Sequence, residues 1–262
     1  MLQEELERIQ GGTTLTTSPP PSPSPSSPPS PRPSCPPPKI VSWQTGKLAG
    51  NYEIEKGQDF LYCHNFVSEE EEQNLMASIY HEYYASAWVT LKRRRLQQWG
   101  GSPSLESFVP DPLPDYTEGL VQRICEIEEI PIKSINHILI NEYLPGQGIS
   151  RHKDGPLYEP HVAILSLSSP ILLNFSKHLG DKTPSLSLCL HPRSLFVFYG
   201  SMYHNYYHGI EERIEDEISS NVLFREKLPQ FEEKEKEKEN NFVMQRKLRL
   251  SLTLRQVHSS PS

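Results

Sequence analysis

The stretch NEYLPGQGISRHKD, Asn141 to Asp154, ends on an imidazole and a carboxylate two positions apart, His152 and Asp154. Where a chain is extended, residues i and i+2 point to the same side, so these two groups converge. Together they supply two thirds of a metal site. The third ligand has to come from elsewhere, and His208 in the segment YYHGI leads the candidates because it follows the strand-like run Ser194–Gly200. His204, just upstream, is its rival.

Two histidines and one carboxylate leave coordination positions open, which is the arrangement of non-haem Fe(II) oxygenase centres. Around this site the chain from Ser134 onward reads as short strands. Apolar, β-branched runs fall at Ile135–Leu144, His161–Ser168, Ile171–Phe175, Leu186–Leu190, Ser194–Tyr199, Val222–Arg225 and Lys247–Gln256, with Gly, Pro and Ser between them. This predicts a mostly β fold, a sandwich or jelly roll whose two sheets enclose a cavity fit for a metal. In the last run Arg249, Ser251, Thr253 and Arg255 share one face, while Leu250, Leu252 and Leu254 share the other. The leucines belong to a core. If the opposite face is also buried, its two arginines demand an anion, since an unpaired buried charge is strongly disfavoured. A dicarboxylate, gripped bidentately by guanidinium, would meet that demand. An edge strand with both arginines in solvent is the other reading.

Upstream, residues 1–50 read as a disordered Pro/Ser-rich tail and residues 51–258 as one folded domain. Between Ser18 and Pro38 almost every residue is proline or serine, a composition that favours extended, PPII-like chain and could dock on SH3- or WW-type domains. A helix over Glu4–Gln10 would be too short to hold alone. In the domain, a strand at Asp59–Phe66 leads to a helix opened by a capping box, Ser68 to Glu71, with Leu75, Met76, Ile79, Tyr80 and Tyr83 on its apolar face. A second helix is signalled by Asp115 as N-cap, followed by Leu120, Val121, Ile124 and Ile127. The charge run Glu232–Glu239 reads as an exposed insertion. The cysteines Cys35, Cys63, Cys125 and Cys189 show no C-x-x-C pairing, which fits a reducing compartment, and the chain is expected in cytoplasm and nucleus. No long apolar run suggests a membrane partner, and we expect a monomer.

A formal charge of −7 argues against global attraction to nucleic acid, but leaves room for a local basic surface. WVTLKRRRLQQWGGSP, residues 88–103, is that surface's candidate: Lys92, Arg93, Arg94 and Arg95 stand between Trp88 and Trp99. Cations neutralise phosphates and aromatic faces stack on bases. A solvated hairpin tip is the plainer reading.

Taken together, N-x-Y-x-P-G ahead of R-H-x-D-G-P-L-Y, then RSLFVFYG followed by HGI, then R-L-S-L-T-L-R, resembles the AlkB-like Fe(II)/2-oxoglutarate-dependent dioxygenases over residues 52–257. LQQWGG and HKDGPLYEPHVAILSL look most like the AlkB homologue 6 subfamily. The resemblance implies a double-stranded β-helix, or jelly roll, with flanking N-terminal helices. It implies Fe(II) on His152, Asp154 and His208, and 2-oxoglutarate on Asn141, Tyr143 and Arg249. Ser251 would touch the cosubstrate where relatives often carry Asn, and Arg255 would lie near its 1-carboxylate and Asp154. DNA or RNA would be met by Trp88, Arg94, Arg95, Gln97 and Trp99. Lys92, Arg93 and Arg151 depart from the subfamily's pattern. The implied reaction uses dioxygen, turns 2-oxoglutarate into succinate and CO₂, and removes N-alkyl groups from nucleic acid. The alternatives are an oxygenase acting on protein, or a nucleic-acid-binding module with little turnover.

Overall fold

A computed structural model describes residues 53–103, 108–229, 231 and 241–258. The expected tail, the helix over Glu4–Gln10 and the charge run Glu232–Glu239 lie outside the described residues. In chain order the strands are β1 (Ile54–Gly57), β2 (Phe60–Cys63), β3 (Val89–Thr90), β4 (Arg95–Trp99), β5 (His137–Tyr143), β6 (Ile149–His152) and β7 (His161–Leu167). They continue as β8 (Ile171–Ser176), β9 (Leu186–Leu190), β10 (Leu195–Tyr199), β11 (Tyr207–Ile210), β12 (Glu215–Ile218), β13 (Phe242–Gln245) and β14 (Arg249–Arg255). The helices are α1 (Glu69–Ile79), α2 (Glu118–Cys125) and α3 (Gly200–Asn205).

Eight strands form one sheet in the order β1-β2-β10-β7-β14-β5-β4-β3, four form a second in the order β6-β11-β8-β9, and β12 pairs with β13. Neighbouring strands run antiparallel. The result is the mostly β jelly roll that the strand pattern predicts. Strand alternation gives the large sheet two buried faces. One packs on the helices, where Leu250, Leu252 and Leu254 join Leu75, Ile79, Leu120 and Ile124. The other faces the small sheet, and there Val162, Ile164, Phe196 and Phe198 meet Leu173, Phe175 and Leu188. Burying both faces of a strand is what makes β14, all but the half-buried Thr253, read as core by burial while its sequence alternates.

The first helix follows its signal: Ser68 and Glu71 make the reciprocal capping box. Glu71 then reaches Arg123 of α2 at 2.5 Å, tying the helices together. The second helix starts later than its sequence suggests. Asp115 opens a 3-10 turn, Asp115–Thr117, and the α-helix begins at Glu118. Thr117 does not cap it, because its hydroxyl donates to the Pro114 carbonyl at 2.7 Å. The strand expected over Asp59–Phe66 is limited to Phe60–Cys63, since Asp59 and Asn65 adopt left-handed backbone at φ 67 and 49. Val222–Arg225 is not a strand: Leu223 makes one bridge to Leu188, and Phe224 at φ 64 turns the chain into a 3-10 helix. The basic stretch is a hairpin tip only at Lys92 and Arg93, in the turn that Leu91 and Arg94 close between β3 and β4. Its second half is β4, an interior strand between β3 and β5.

Candidate active site

His152 ends β6 and His208 lies in β11 directly opposite, the two being paired across the strands. Their rings are 4.4 Å apart between centroids. Asp154 follows in the loop after β6, and its Oδ2 lies 3.5 Å from His208 Nε2. Ligand atoms from all three residues fall within 4.8 Å of one another, the one such group among the described residues. Close approach of β11 to β6 requires the glycine of the HGI segment, because a Cβ on Gly209 would sit 2.9 Å from the Ile149 carbonyl oxygen. His204 is exposed in α3 and stands outside the group.

The protonation of these groups suits a cation. His152 Nδ1 donates to the Ser150 carbonyl at 2.8 Å, which leaves the Nε2 lone pair for a ligand. Burial holds His208 at about 3, with neighbouring His152 adding to the effect, so the imidazole is neutral. Burial pushes the Asp154 carboxyl up, but the Arg255 guanidinium, by charge and by hydrogen bond, prevails and keeps it below the usual carboxylate range. Arg255 Nη1 holds Asp154 Oδ1 at 2.5 Å, while the buried Oδ2 has no hydrogen-bond partner. An anionic oxygen stripped of water and aimed at two lone-pair nitrogens fits a divalent metal.

Behind the cluster, β14 and β5 lay out the expected cosubstrate residues side by side. Arg249 pairs across the ladder with Tyr143, and Ser251 with Asn141. All four side chains are buried. Arg249 donates to Ser166 Oγ at 3.0 Å and lies over the Tyr143 ring at 5.5 Å, but its Nε has no partner. Burial lowers its pKa to about 10. A buried guanidinium whose partners are a hydroxyl and an aromatic ring, with a second cation, Arg246, near enough to act on it, wants a carboxylate. Arg255 Nε is also without a partner, and its guanidinium stacks on Tyr158 at 4.0 Å.

The basic stretch splits between faces. Arg94 is buried on the cavity side and donates to Asn141 Oδ1 at 2.9 Å, which turns the Asn141 amide nitrogen the other way. Burial keeps His152 below its ordinary pKa, and the charges of Arg255 and Arg94 act in the same sense. Arg93 contacts Ser150 Oγ and pairs with Glu212 at 2.9 Å, bracing β6 against the segment after β11. The other four expected contacts, Trp88 ahead of β3 and Arg95, Gln97 and Trp99 of β4, point elsewhere. Arg95 pairs with Glu142 at 2.6 Å on the helix side and lies over Trp88 at 4.4 Å. Gln97 is fully buried, donating to the Ile79 carbonyl at 3.2 Å and accepting from Trp99 Nε1 at 3.1 Å. So Trp88, Arg95, Gln97 and Trp99 seat the helices, while Arg94 alone of the five reaches the metal side, because neighbours on a strand face opposite ways.

With this geometry in place, comparison with known proteins defines the class. The 2OG-Fe(II) oxygenase superfamily matches residues 59–255, and the chain belongs to that family. Within it the chain is AlkB-like: it is 36% identical over 172 residues to the Danio rerio protein named "Probable RNA/DNA demethylase ALKBH6", covering 62% of this chain and 73% of that one. An uncharacterized mimivirus protein, L905 of Acanthamoeba polyphaga mimivirus, is 30% identical over 175 residues, or 64% of this chain and 80% of its own. The Xenopus tropicalis tRNA (carboxymethyluridine(34)-5-O)-methyltransferase alkbh8 is 31% identical over 163 residues; the match spans 59% of this chain but 25% of that protein. Among solved structures, OsALKBH1 superposes with a TM-score of 0.53 over 78% of this chain and 100% of its own at 15% identity, which shows the shared fold. The protein is therefore an Fe(II)- and 2-oxoglutarate-dependent dioxygenase of the AlkB type.

Proposed function

We propose that this dioxygenase oxidatively demethylates N-alkylated DNA or RNA, with His152, Asp154 and His208 as its iron ligands. Arg249, Tyr143 and Asn141, with Ser251 beside them, receive 2-oxoglutarate, and Arg255 braces Asp154 behind the metal. The observation that carries the nucleic-acid reading is the course of the basic stretch. Arg94 lies against Asn141 and Arg93 against Ser150, so this run of cations reaches the strands that bear the candidate ligands. Its tip, exposed Lys92 with the half-exposed Arg93, would draw phosphates to the edge of β6, the strand that ends on His152. The relatives named for RNA or DNA demethylation and tRNA modification support the same substrate class.

When bound, Fe(II) with 2-oxoglutarate and dioxygen supplies oxidation of a substrate C–H bond, releasing succinate and CO₂. The chain's own residues do the rest. Arg249 fixes the far carboxylate of the cosubstrate by charge and shape. Arg94 holds the Asn141 amide in one orientation, with Nδ2 free to donate to the cosubstrate. The buried cluster of Leu91, Leu96 and Leu139 packs beside Asn141 and would keep water from that side of the cosubstrate. Hydroxylation of an N-methyl carbon gives a hemiaminal that breaks down to formaldehyde.

The test measures succinate and formaldehyde together over a panel of N-methylated single- and double-stranded DNA and RNA, with His208→Ala as the blank. Formaldehyde release with one panel member, absent in the blank, supports the reading. Succinate formed without stimulation by any oligonucleotide would overturn the nucleic-acid substrate and direct the search to proteins.

A further inference from the structure

The loop after β6, which carries the candidate ligand Asp154, receives support from an element that no sequence signal announces. Residues 153–155 belong to no strand, so no ladder holds the backbone at Asp154. Gly155 turns the chain there at φ 91, a conformation that glycine adopts without strain. The short helix α3 packs against this loop and grips it twice. Lys153, between His152 and Asp154, donates from Nζ to the His204 carbonyl at 2.6 Å and lies 4.9 Å from the centre of the Tyr207 ring. The Tyr203 hydroxyl donates to the Gly155 carbonyl at 2.8 Å.

The far end of α3 is fixed in turn. Asp59 Oδ2 accepts from the Ser201 backbone N–H at 2.9 Å and also from its hydroxyl. From its other end the chain passes through Tyr206 and Tyr207 directly into His208. A cation on a carbonyl of the last helical turn is favourable, since those carbonyls lack helical partners and carry the negative end of the dipole. A charged donor also makes a stronger bond than a neutral one. The segment leading to His208 is thereby joined to the loop that follows His152 and bears Asp154.

We propose that Lys153 and Tyr203 are positioning residues for the metal: through α3 they hold Asp154 in register with His152 and His208. The proposal rests on those three residues being the metal site. Asp154 Oδ1 is oriented by Arg255, but the place of its backbone is set by this clamp. Loosening the clamp costs metal affinity before it costs the fold.

Anaerobic titration of Co(II) into the full-length, metal-free protein tests this, following the visible ligand-field bands of cobalt and the thermal midpoint of the metal-free chain. Lys153→Met is expected to weaken Co(II) binding about tenfold, and Lys153→Met with Tyr203→Phe further, within the range seen for outer-sphere changes at metal sites. Lys153→Arg keeps the cation and restores affinity. Lys177→Met, at an exposed lysine away from the site, leaves it unchanged. The metal-free midpoint stays near that of the unaltered protein in every variant. Equal Co(II) affinity in the unaltered protein and a folded double variant would sink the clamp alone. Failure of the unaltered protein to take up cobalt would overturn the metal site and the clamp together.

Discussion

Strand β14 presents two faces that are both largely buried and chemically opposite. Leu250, Leu252 and Leu254 are 0% exposed against the helices, while Arg249, Ser251 and Arg255 are 1%, 3% and 7% exposed on the cavity side. On the first face burial drives folding, at about 25 cal/mol per Å² of apolar surface. On the second it opposes folding. The unpartnered buried atoms of His137, Asp154, Arg249 and Arg255 all lie there. A fold keeps such a face when something outside the chain satisfies it. The comparison teaches that the helix side makes the scaffold stable, and the cavity side spends part of that stability on binding.

The sharpest way to break this contrast is to exchange consequences between faces. His208→Ala is expected to abolish metal uptake and turnover while the metal-free protein keeps its fold, as checked by cobalt titration and circular dichroism. Leu252→Ala should instead lose about 2–5 kcal/mol of stability in denaturant melts, with metal affinity of the folded fraction unchanged. A metal-binding defect in Leu252→Ala without loss of stability would void the division.

Arg249→Met takes the contrast to the cosubstrate. Removing a charge-assisted pair should raise the KM for 2-oxoglutarate about 10–100-fold. Stability of the metal-free protein should hold or rise, because a buried guanidinium with a vacant Nε is removed. A fall in stability with unchanged KM would place Arg249 among the structural residues.

Acid gives a finer test. Burial, with Arg255 adding to it, holds His137 at about 3 against an ordinary 6.5. The folded chain keeps this ring neutral while the unfolded chain takes up a proton, so the unfolded state binds more protons below about pH 6.5. Stability of the metal-free protein is therefore complete above that pH and lost as pH falls toward 3, by about 1.4 kcal/mol per pH unit for this group. Thermal melts of His137→Phe across this window should show a flatter pH dependence than the unaltered protein; an identical slope would remove His137 as a source.

The smallest effect belongs to the basic stretch. Arg95→Ala, which loses the partly exposed pair with Glu142, should cost about 1 kcal/mol and leave KM and kcat unchanged. Arg94→Ala, next to it in sequence, should move KM with little change in stability. Equal behaviour of the two would contradict their placement on opposite faces.

Much of this was legible in the chain. The alternation of β14 rests on local geometry, which short stretches of sequence carry complete. His152, Asp154 and His208 stand out as residue types in a pattern, although Asp154 lies outside any strand and its placement is not local. The capping box of α1 is local in the same way. Less could be read where a residue's role depends on what lies across from it. Nothing in KRRRLQQW says that β4 is an interior strand, so four cations in a row look like one surface although Arg94 and Arg95 face opposite layers. The α3 segment GSMYHN is too short to show a period, and its contacts to Lys153 and Gly155 span about fifty residues of sequence.

The sequence by itself determined which residue types stand at strand and helix periods, and thereby the mostly β class, the candidate ligands and the two faces of the last strand. Only the tertiary structure decided that His152 and His208 lie opposite one another across two strands, that Arg94 turns toward the cavity, and that α3 grips the ligand loop. Periodicity is a property of neighbours along the chain, whereas strand order and packing follow from which faces can be buried together, and that is settled only when all of them compete for the same interior.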